Sequence, residues 1–470
     1  MSEFPLVKLS ELAEISGGIT KNAKRSALPI QKPYLAVANV HANRLDLEKV
    51  STIGVNEGEL GRAELKDGDL LVVEGNGSLA QLGRVALWRG EIKGCLHQNH
   101  LIKVRPGKQV ESKWILYWLM SPAGRRSIEA VGSSTSGLHT LSLSKVSSLP
   151  TPLAPKEDQQ RAIAYIELHL SRLDETTSTL QAIQTKLKQA RASILKAAVE
   201  GRLVEAEAKL AQLQSSYFES GGQLLLRSLG EREVQHNAES SKERRSRRYK
   251  DPARPDPQSV DGLRLPPGWA LGSIEQISSG LRYSLCIGPF GSNLKVSDYC
   301  EEGVPLIFVR NIRAENFSLE QATFVTHEKA TELAAHKARP GDILITKMGD
   351  PPGDTAIYPE GFPEAVITAD VIKLHVASTY SLRFILYTLR SPLLRRQILS
   401  QTKGVAQKKV SLERFTRIAI PIPPFAEQER ITDEVERRFS VLDQVEATVN
   451  ASLRRCGQLR QAVLKRAFGG

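Results

Sequence analysis

Two histidines three residues apart, His97 and His100, have a spacing at which imidazoles can share a metal ion. The HExxH pattern of a catalytic zinc helix is absent, so the pair alone makes a poor metal site. Asp350-Pro351-Pro352-Gly353 has the acidic-Pro-Pro start of a loop that grips an extruded base, but glycine stands where the aromatic clamp belongs. A turn is the better reading of those four residues. Gly75-Asn76-Gly77 follows the strand-like run DLLVVE and also reads as a turn rather than a phosphate cradle. There is no GxxxxGK[ST] loop and no GxSxG elbow. Cys95, Cys286, Cys300 and Cys456 contain no CxxC pair, which points away from a zinc ribbon and toward a reducing compartment. These residues together predict a chain without catalysis, metal or cofactor of its own.

The charge points elsewhere. Sixty-four Lys plus Arg stand against 52 Asp plus Glu, a net charge of +12. Clustered cations favour a polyanion because they release the counterions condensed on a phosphate backbone. If the partner is DNA, bases are read by Arg, Lys, Asn, Gln or Ser on loops that enter the major groove. In the first half the polar, glycine-rich loops offer Lys21, Asn22, Lys24 and Arg25, then Asn76, Ser78, Gln81 and Arg84, then Ser134, Ser136 and His139. In the second half they offer Ser284, Ser292, Asn293, Lys295, Arg310, Asn311, Lys347, Lys403, Gln407, Lys408 and Lys409. Each competes with an ordinary solvated loop residue. Asn39 and Asn311 fall at matching strand ends, where a shared turn role competes with base contact. Trp114, Trp118 and Trp269 read as core rather than stacking platforms. Lys242, Arg244, Arg245, Arg247, Arg248 and Lys250 crowd one short stretch, which reads as a solvated linker before it reads as a phosphate track.

The elements that must position these loops occur twice. ILYWLMSPAGRR at 115–126 matches ILYTLRSPLLRR at 385–396, GDLLV at 68–72 matches GDILI at 341–345, and NHLIKV at 99–104 matches ADVIKL at 369–374. PTPLAPKEDQQRAI at 150–163 parallels PIPPFAEQERI at 421–431, and SILKAAVEG at 193–201 parallels AVLKRAFGG at 462–470. The blocks keep their order at a period of about 270 residues, far longer than a solenoid repeat. Short β-rich runs broken by Gly, Pro and Asn fill each half, with one helix expected over 112–130 and its counterpart over 382–401. A Pro-x-Pro segment ends each module, and a long helix follows. Ile166, Leu173, Leu180 and Leu187 mark a coiled-coil seam in the first; Val435, Leu442, Val449 and Leu453 mark one in the second, within a stripe that includes Val445 and Leu459. An apolar stripe on so long a helix needs a partner, and the other repeat's helix is the obvious one.

The expectation is an α+β chain: two pseudo-repeated mixed α/β recognition domains separated by two long helices that form an antiparallel coiled coil. Its segments are a first module at 1–157, a central helix at 158–214, a basic linker at 215–264, a second module at 265–424 and a C-terminal helix at 425–470. The start lacks the pattern of a signal peptide, and the strongest apolar run, 114–120, is too short to span a bilayer, so a soluble cytoplasmic protein is expected.

These blocks carry a family resemblance. The paired modules, the Pro-x-Pro to Glu-Gln-x-Arg-Ile joint, the helix end LKQARASILKAAVEGRL with its copy LRQAVLKRAFGG, and the lead-in RRYKDPARPDPQ…LPPGW resemble the specificity subunits of type I restriction-modification systems. GPFGSNLK at 288–295 and GDILITKMGDP at 341–351 look like second-module elements of that family; the first half has no GPFGS-like segment. The resemblance implies a subunit that binds double-stranded DNA at a split, asymmetric site. It implies two methyltransferase (modification) subunits docked on the helices, and restriction (translocase-nuclease) subunits for cleavage. S-adenosylmethionine, ATP and Mg2+ would belong to those partners, and no membrane is involved. A recognition subunit of a fused, type IIB-like enzyme and a coiled-coil adaptor that binds no DNA stand as alternatives.

Overall fold

The computed structural model describes residues 4–135, 137–241, 248–256, 263–313, 316–402 and 408–468. The chain is α+β and divides into two compact units. The first comprises residues 1–183 and 448–470, and the second residues 184–447.

In the first unit a four-stranded antiparallel sheet has the order Ala13–Gly17, Leu101–Pro106, Leu70–Val73, Val85–Leu87. Every residue of Leu70–Val73 is buried because both faces are covered. Leu70 and Val72 join a core with Trp114, Ile115 and Ile128, and Leu71 and Val73 join another with Trp88 and Leu101. An unbroken apolar run is what such a strand requires. The second unit repeats the plan: Leu285–Ile287, Val371–Leu374, Ile343–Thr346, Thr355–Ile357. Ile343 and Ile345 face one core and Leu344 another. In each unit a second sheet, three-stranded in the first and five-stranded in the second, contains one parallel pairing, Ile30–Leu35 with Leu96–His97 and Val304–Ile307 with Ala365–Ile367. A ribbon ties each module's start to its Pro-x-Pro end: Leu6–Lys8 pairs with Pro150–Pro152, and Ala270–Ser273 with Ala419–Ile422.

The single helices expected over 112–130 and 382–401 are both broken. Ser112–Met120 is followed by Pro122–Val131, and Leu382–Arg390 by Pro392–Ser400. The Ser-Pro step explains the break: proline pushes the residue before it out of the helical region and suits the first turn of a new helix. Ser121 and Ser391 cap the new helices, accepting from the Gly124 and Leu394 N–H groups.

Both long helices have 44 residues, Lys156–Val199 and Phe425–Phe468. The first was expected to run to 214. It stops before Gly201, whose φ of +65° favours glycine, with Arg202 N–H closing back on Ala197 O at 2.9 Å. A separate helix, Glu207–Gln214, follows. Within the first unit the helix segments run antiparallel: Arg466 lies over the Tyr165 ring and Arg460 pairs with Asp174. Ile166 and Leu170 share a core there with Leu464 and Ala467. Within the second unit Arg191 reaches Asp443 and Glu446 at 2.5 and 2.7 Å, and Arg430 reaches Glu207 at 2.6 Å, again antiparallel. Among the seam residues Ile166, Leu187, Val435 and Val449 are buried; Leu173, Leu180, Leu442 and Leu453 are half-buried. Val445 and Leu459 are 40% and 44% exposed, so the apolar stripe is wider than the interface within each unit.

The segment 215–264, expected as a linker, contains a docked helix, Gly221–Ser240, in the second unit. Leu224 is fully buried, and the Arg232 guanidinium donates to the carbonyls of Glu275 and Ser278 at 2.8 and 2.6 Å. The Glu275 carbonyl already accepts from the Ser278 N–H that closes the short helix Ile274–Ile277, and the guanidinium adds a charged donor to it and to the next carbonyls of the chain's exit from that helix. Among the described residues no helix is long and apolar enough to cross a membrane.

Candidate nucleic-acid interface

In the first unit, strand Leu70–Val73 runs on through Glu74 into a short strand, Gly75–Asn76, that joins a three-stranded sheet with Ser133–Thr135 and Leu138–Thr140. Asn76 stands opposite His139, and His139 opposite Ser134. Candidates from two distant stretches therefore form one row across the sheet. Ser78 and Gln81 are exposed on the adjoining turn, and the Ser78 N–H donates to Asn76 Oδ1 at 2.9 Å. Arg84 is half-buried, with no hydrogen-bond partner at its buried Nε. Ser136 lies outside the described residues.

Sequence reasoning missed the residue that braces this turn. Arg125 donates to Leu82 O at 2.6 Å and Leu79 O at 3.3 Å. Its counterpart Arg395 reaches Asp354 at 3.2 Å, in the turn that follows the matching strand of the second unit. The signal was present: both arginines stand at the same place in the best-matching block.

Lys21, Asn22 and Lys24 are exposed on one loop. Arg25 beside them is committed to the protein. It grips Glu59 through two hydrogen bonds of 2.8 and 3.0 Å and donates to Thr20 O at 2.7 Å. That guanidinium, helped by the Asn56 N–H, pulls the Glu59 carboxyl down to about 2.

The second unit uses the same device. Strand Ile343–Thr346 runs on through Lys347 into Met348–Gly349, which pairs with Lys408–Lys409. Lys347, Lys408 and Lys409 are thereby brought together. The Lys347 ammonium lies 4.9 Å from the centroid of the Phe290 ring, at the start of the loop bearing exposed Ser292, Asn293 and Lys295. Lys403 and Gln407 lie outside the described residues, as do Lys242, Arg244, Arg245 and Arg247. Arg248 and Lys250 are exposed.

Other candidates serve the frame. Ser284 is buried and donates to Ser279 O at 2.8 Å. Arg310 stacks over Phe308 at 4.1 Å and donates to Thr323 Oγ1. Asn311 and Asn39 have the turn role: each side-chain oxygen accepts from the backbone three residues earlier, and each amide donates to a carbonyl seven residues later.

The two hairpin roots share their pattern of backbone bonds and differ in their side chains. Glu74 N–H donates to His100 O, and Leu141 N–H to Glu74 O. In the second unit Lys347 N–H donates to Asp370 O, and Val410 N–H to Lys347 O. Glutamate thus becomes lysine at one matching position and histidine becomes aspartate at the other. His100 is exposed and its Nδ1 lies 2.7 Å from Glu74 Oε2. His97 is instead fully buried against Leu101 O, and burial pushes its imidazole down to about 4. Among the described residues no group of three or more His, Cys, Asp or Glu could hold a metal ion. The Asp-Pro-Pro-Gly stretch is a turn, with Gly353 N–H donating to Thr346 O at 2.9 Å.

Known proteins share this construction. The type I restriction modification DNA specificity domain model matches residues 1–189 and 306–455. The specificity subunit of the type I restriction enzyme EcoBI of Escherichia coli is 24% identical over 354 residues, covering 73% of this chain but only 63% of that subunit. The EcoKI specificity subunit of Escherichia coli strain K12 is 20% identical over 487 residues, covering 99% and 88%. A chain solved in work on complex assembly and conformational transition of the type I R-M system shares the fold, with a TM-score of 0.63 at 16% identity over 100% of this chain and 98% of its own. With the family model matched in both modules and over more than half of its residues, the chain belongs to the type I restriction-modification DNA specificity family.

Proposed function

We propose that this chain reads a bipartite, asymmetric DNA sequence, one half-site per module, and catalyses nothing itself. It directs adenine methylation by two modification subunits and cleavage by restriction subunits. S-adenosylmethionine, ATP and Mg2+ belong to those partners. The observation that carries the reading is the pair of hairpin roots, where matched backbone hydrogen bonds hold Glu74 and His100 in one module and Lys347 and Asp370 in the other. The Glu74 carboxylate accepts from the amino group of cytosine, an acceptor that the second module, with lysine at that place, does not present, so one scaffold with inverted side chains suits two different words. Two unlike readers make a non-palindromic site, which a symmetric dimer does not.

Single-molecule methylome sequencing of the host, with and without this chain, tests the reading. The expected result is one split motif that vanishes with the chain. Replacing Glu74 by Gln should then relax only one half of that motif. A methylome that does not depend on the chain, or a palindromic motif, refutes it.

A further inference from the structure

We propose that Phe290 is an apolar contact of the second module with duplex DNA, and that Lys347 is its positioning residue. This rests on the specificity reading above and deepens it. Phe290 is 61% exposed. A lone exposed phenyl is ordinary on a protein surface, but this one is fixed from several sides. At Gly288 a Cβ would lie 2.3 Å from Ile367 O and from the Thr368 carbonyl carbon, so the loop is pressed against the neighbouring strand end. Pro289 locks its own φ. Gly291 has a φ of +54°, which favours glycine. The ring therefore stands at the start of its loop, on a stretch with little backbone freedom.

Beside the ring lies the Lys347 ammonium, 4.9 Å from its centroid, which also donates to Ala369 O at 3.1 Å. A lysine held by a carbonyl and an aromatic face has spent its reach, so it holds the ring rather than probing bases. Lys408 and Lys409 are half-exposed on the paired strand, and their ion pairs with Asp350 and Asp370 are long, at 3.5 and 3.6 Å. Surface pairs of that kind are weak enough for phosphates to displace. An ordered phenyl among lysines matches a polyanion that also offers apolar groups. In duplex DNA those groups are the thymine methyl in the major groove and the faces of an opened base step.

The test uses the full chain with its modification subunits and a pool of random-sequence duplexes, sequencing the bound fraction and titrating the selected duplex. Phe290→Ala should weaken binding on the order of tenfold, the low end of what base–aromatic contacts are worth. It should relax positions in one half-site only and leave both the melting temperature and the salt slope unchanged. Lys408→Ala, by contrast, should lower the salt slope by about one. Phe290→Tyr should restore selection. Lys347→Met should relax the same positions as Phe290→Ala, as a positioning role requires. Replacing thymine by uracil at those positions separates methyl contact, which is lost, from base-step insertion, which is kept. A Phe290→Ala complex that selects the same sequence with unchanged affinity overturns the proposal, as does one that melts earlier and loses both half-sites. A wild-type complex that selects no sequence at all overturns the specificity reading itself.

Discussion

Gln428 and Gln159 sit at matching places in the two joints, and both are fully buried. Gln428 accepts from the Ser381 N–H at 3.0 Å and donates to Pro423 O at 2.9 Å. Gln159 accepts from the Glu111 N–H at 2.8 Å and donates to Ala154 O at 2.8 Å and Gln109 O at 3.1 Å. Ser381 and Glu111 are the N-cap residues of the helices Leu382–Arg390 and Ser112–Met120. One side chain thus pins a recognition-domain helix to the start of a long helix. Leucine nearly conserves volume, so the cavity term of Gln428→Leu is small. It strands the Ser381 N–H and the Pro423 carbonyl away from water, at about 1–3 kcal/mol each. A central value of about 4 kcal/mol corresponds to roughly three decades in an opening equilibrium. Hydrogen exchange followed by mass spectrometry reads this locally. Gln428→Leu should lower protection across 382–390 by about a thousandfold and leave 112–120 unchanged, and Gln159→Leu should do the converse. Protection within tenfold of wild type in the variant's own helix, or equal loss in both units, refutes the joint as a local pin.

Glu427 is fully buried between the Trp269 indole N–H and the Glu207 N–H, each at 2.9 Å, and burial raises its pKa. Its contribution to stability is therefore whole below the unfolded carboxylate range and lost as pH rises through the raised value. The gap in urea midpoint between wild type and Glu427→Met should be widest near pH 4 and shrink toward pH 8, and a gap that widens instead contradicts the assignment. Arg25→Ala should cost about 1–2 kcal/mol after allowance for screening of the partly exposed Glu59 pair. Lys24→Ala should leave the melting temperature unchanged and lower the salt slope of DNA binding by about one, so the two neighbours separate by calorimetry and salt titration. Arg125→Ala should free the turn over Leu79–Gln81, broadening selection in one half-site while the other stays sharp; sequencing of selected duplexes checks this.

The frame was legible because its constraints are local or repeated. Apolar runs such as DLLVV specify a strand buried on both faces, and the recurrence of the Pro-x-Pro to Gln-x-Arg joint marks the pin described above. The Ser-Pro break was also visible, but two amphipathic turns on either side of Pro122 look continuous when only periodicity is followed. The helix Gly221–Ser240 was missed because charge dominates its segment, while its folding depends on Leu224 entering the second unit's core and on Arg232 meeting carbonyls 43 and 46 residues away. Site residues were hardest. Lys24 and Arg25 are adjacent and alike in type, and only the distant Glu59 separates an exposed cation from a structural one. Likewise Glu74 and Lys347 look unrelated until their backbone bonds show that they occupy one position.

The discontinuity of the first unit has a consequence for synthesis. Phe468 packs on Trp114 at 4.7 Å, and Leu464 and Ala467 are fully buried in the same core. These residues leave the ribosome only after the whole of the second unit. The recognition domain made first is therefore the one completed later, and until then it carries an open apolar face on the nascent chain, where chaperones bind. The second unit, contiguous from 184 to 447, has no such wait. Translational pausing or premature termination beyond residue 447 should accordingly harm the reader encoded upstream and spare the one encoded next to the lesion.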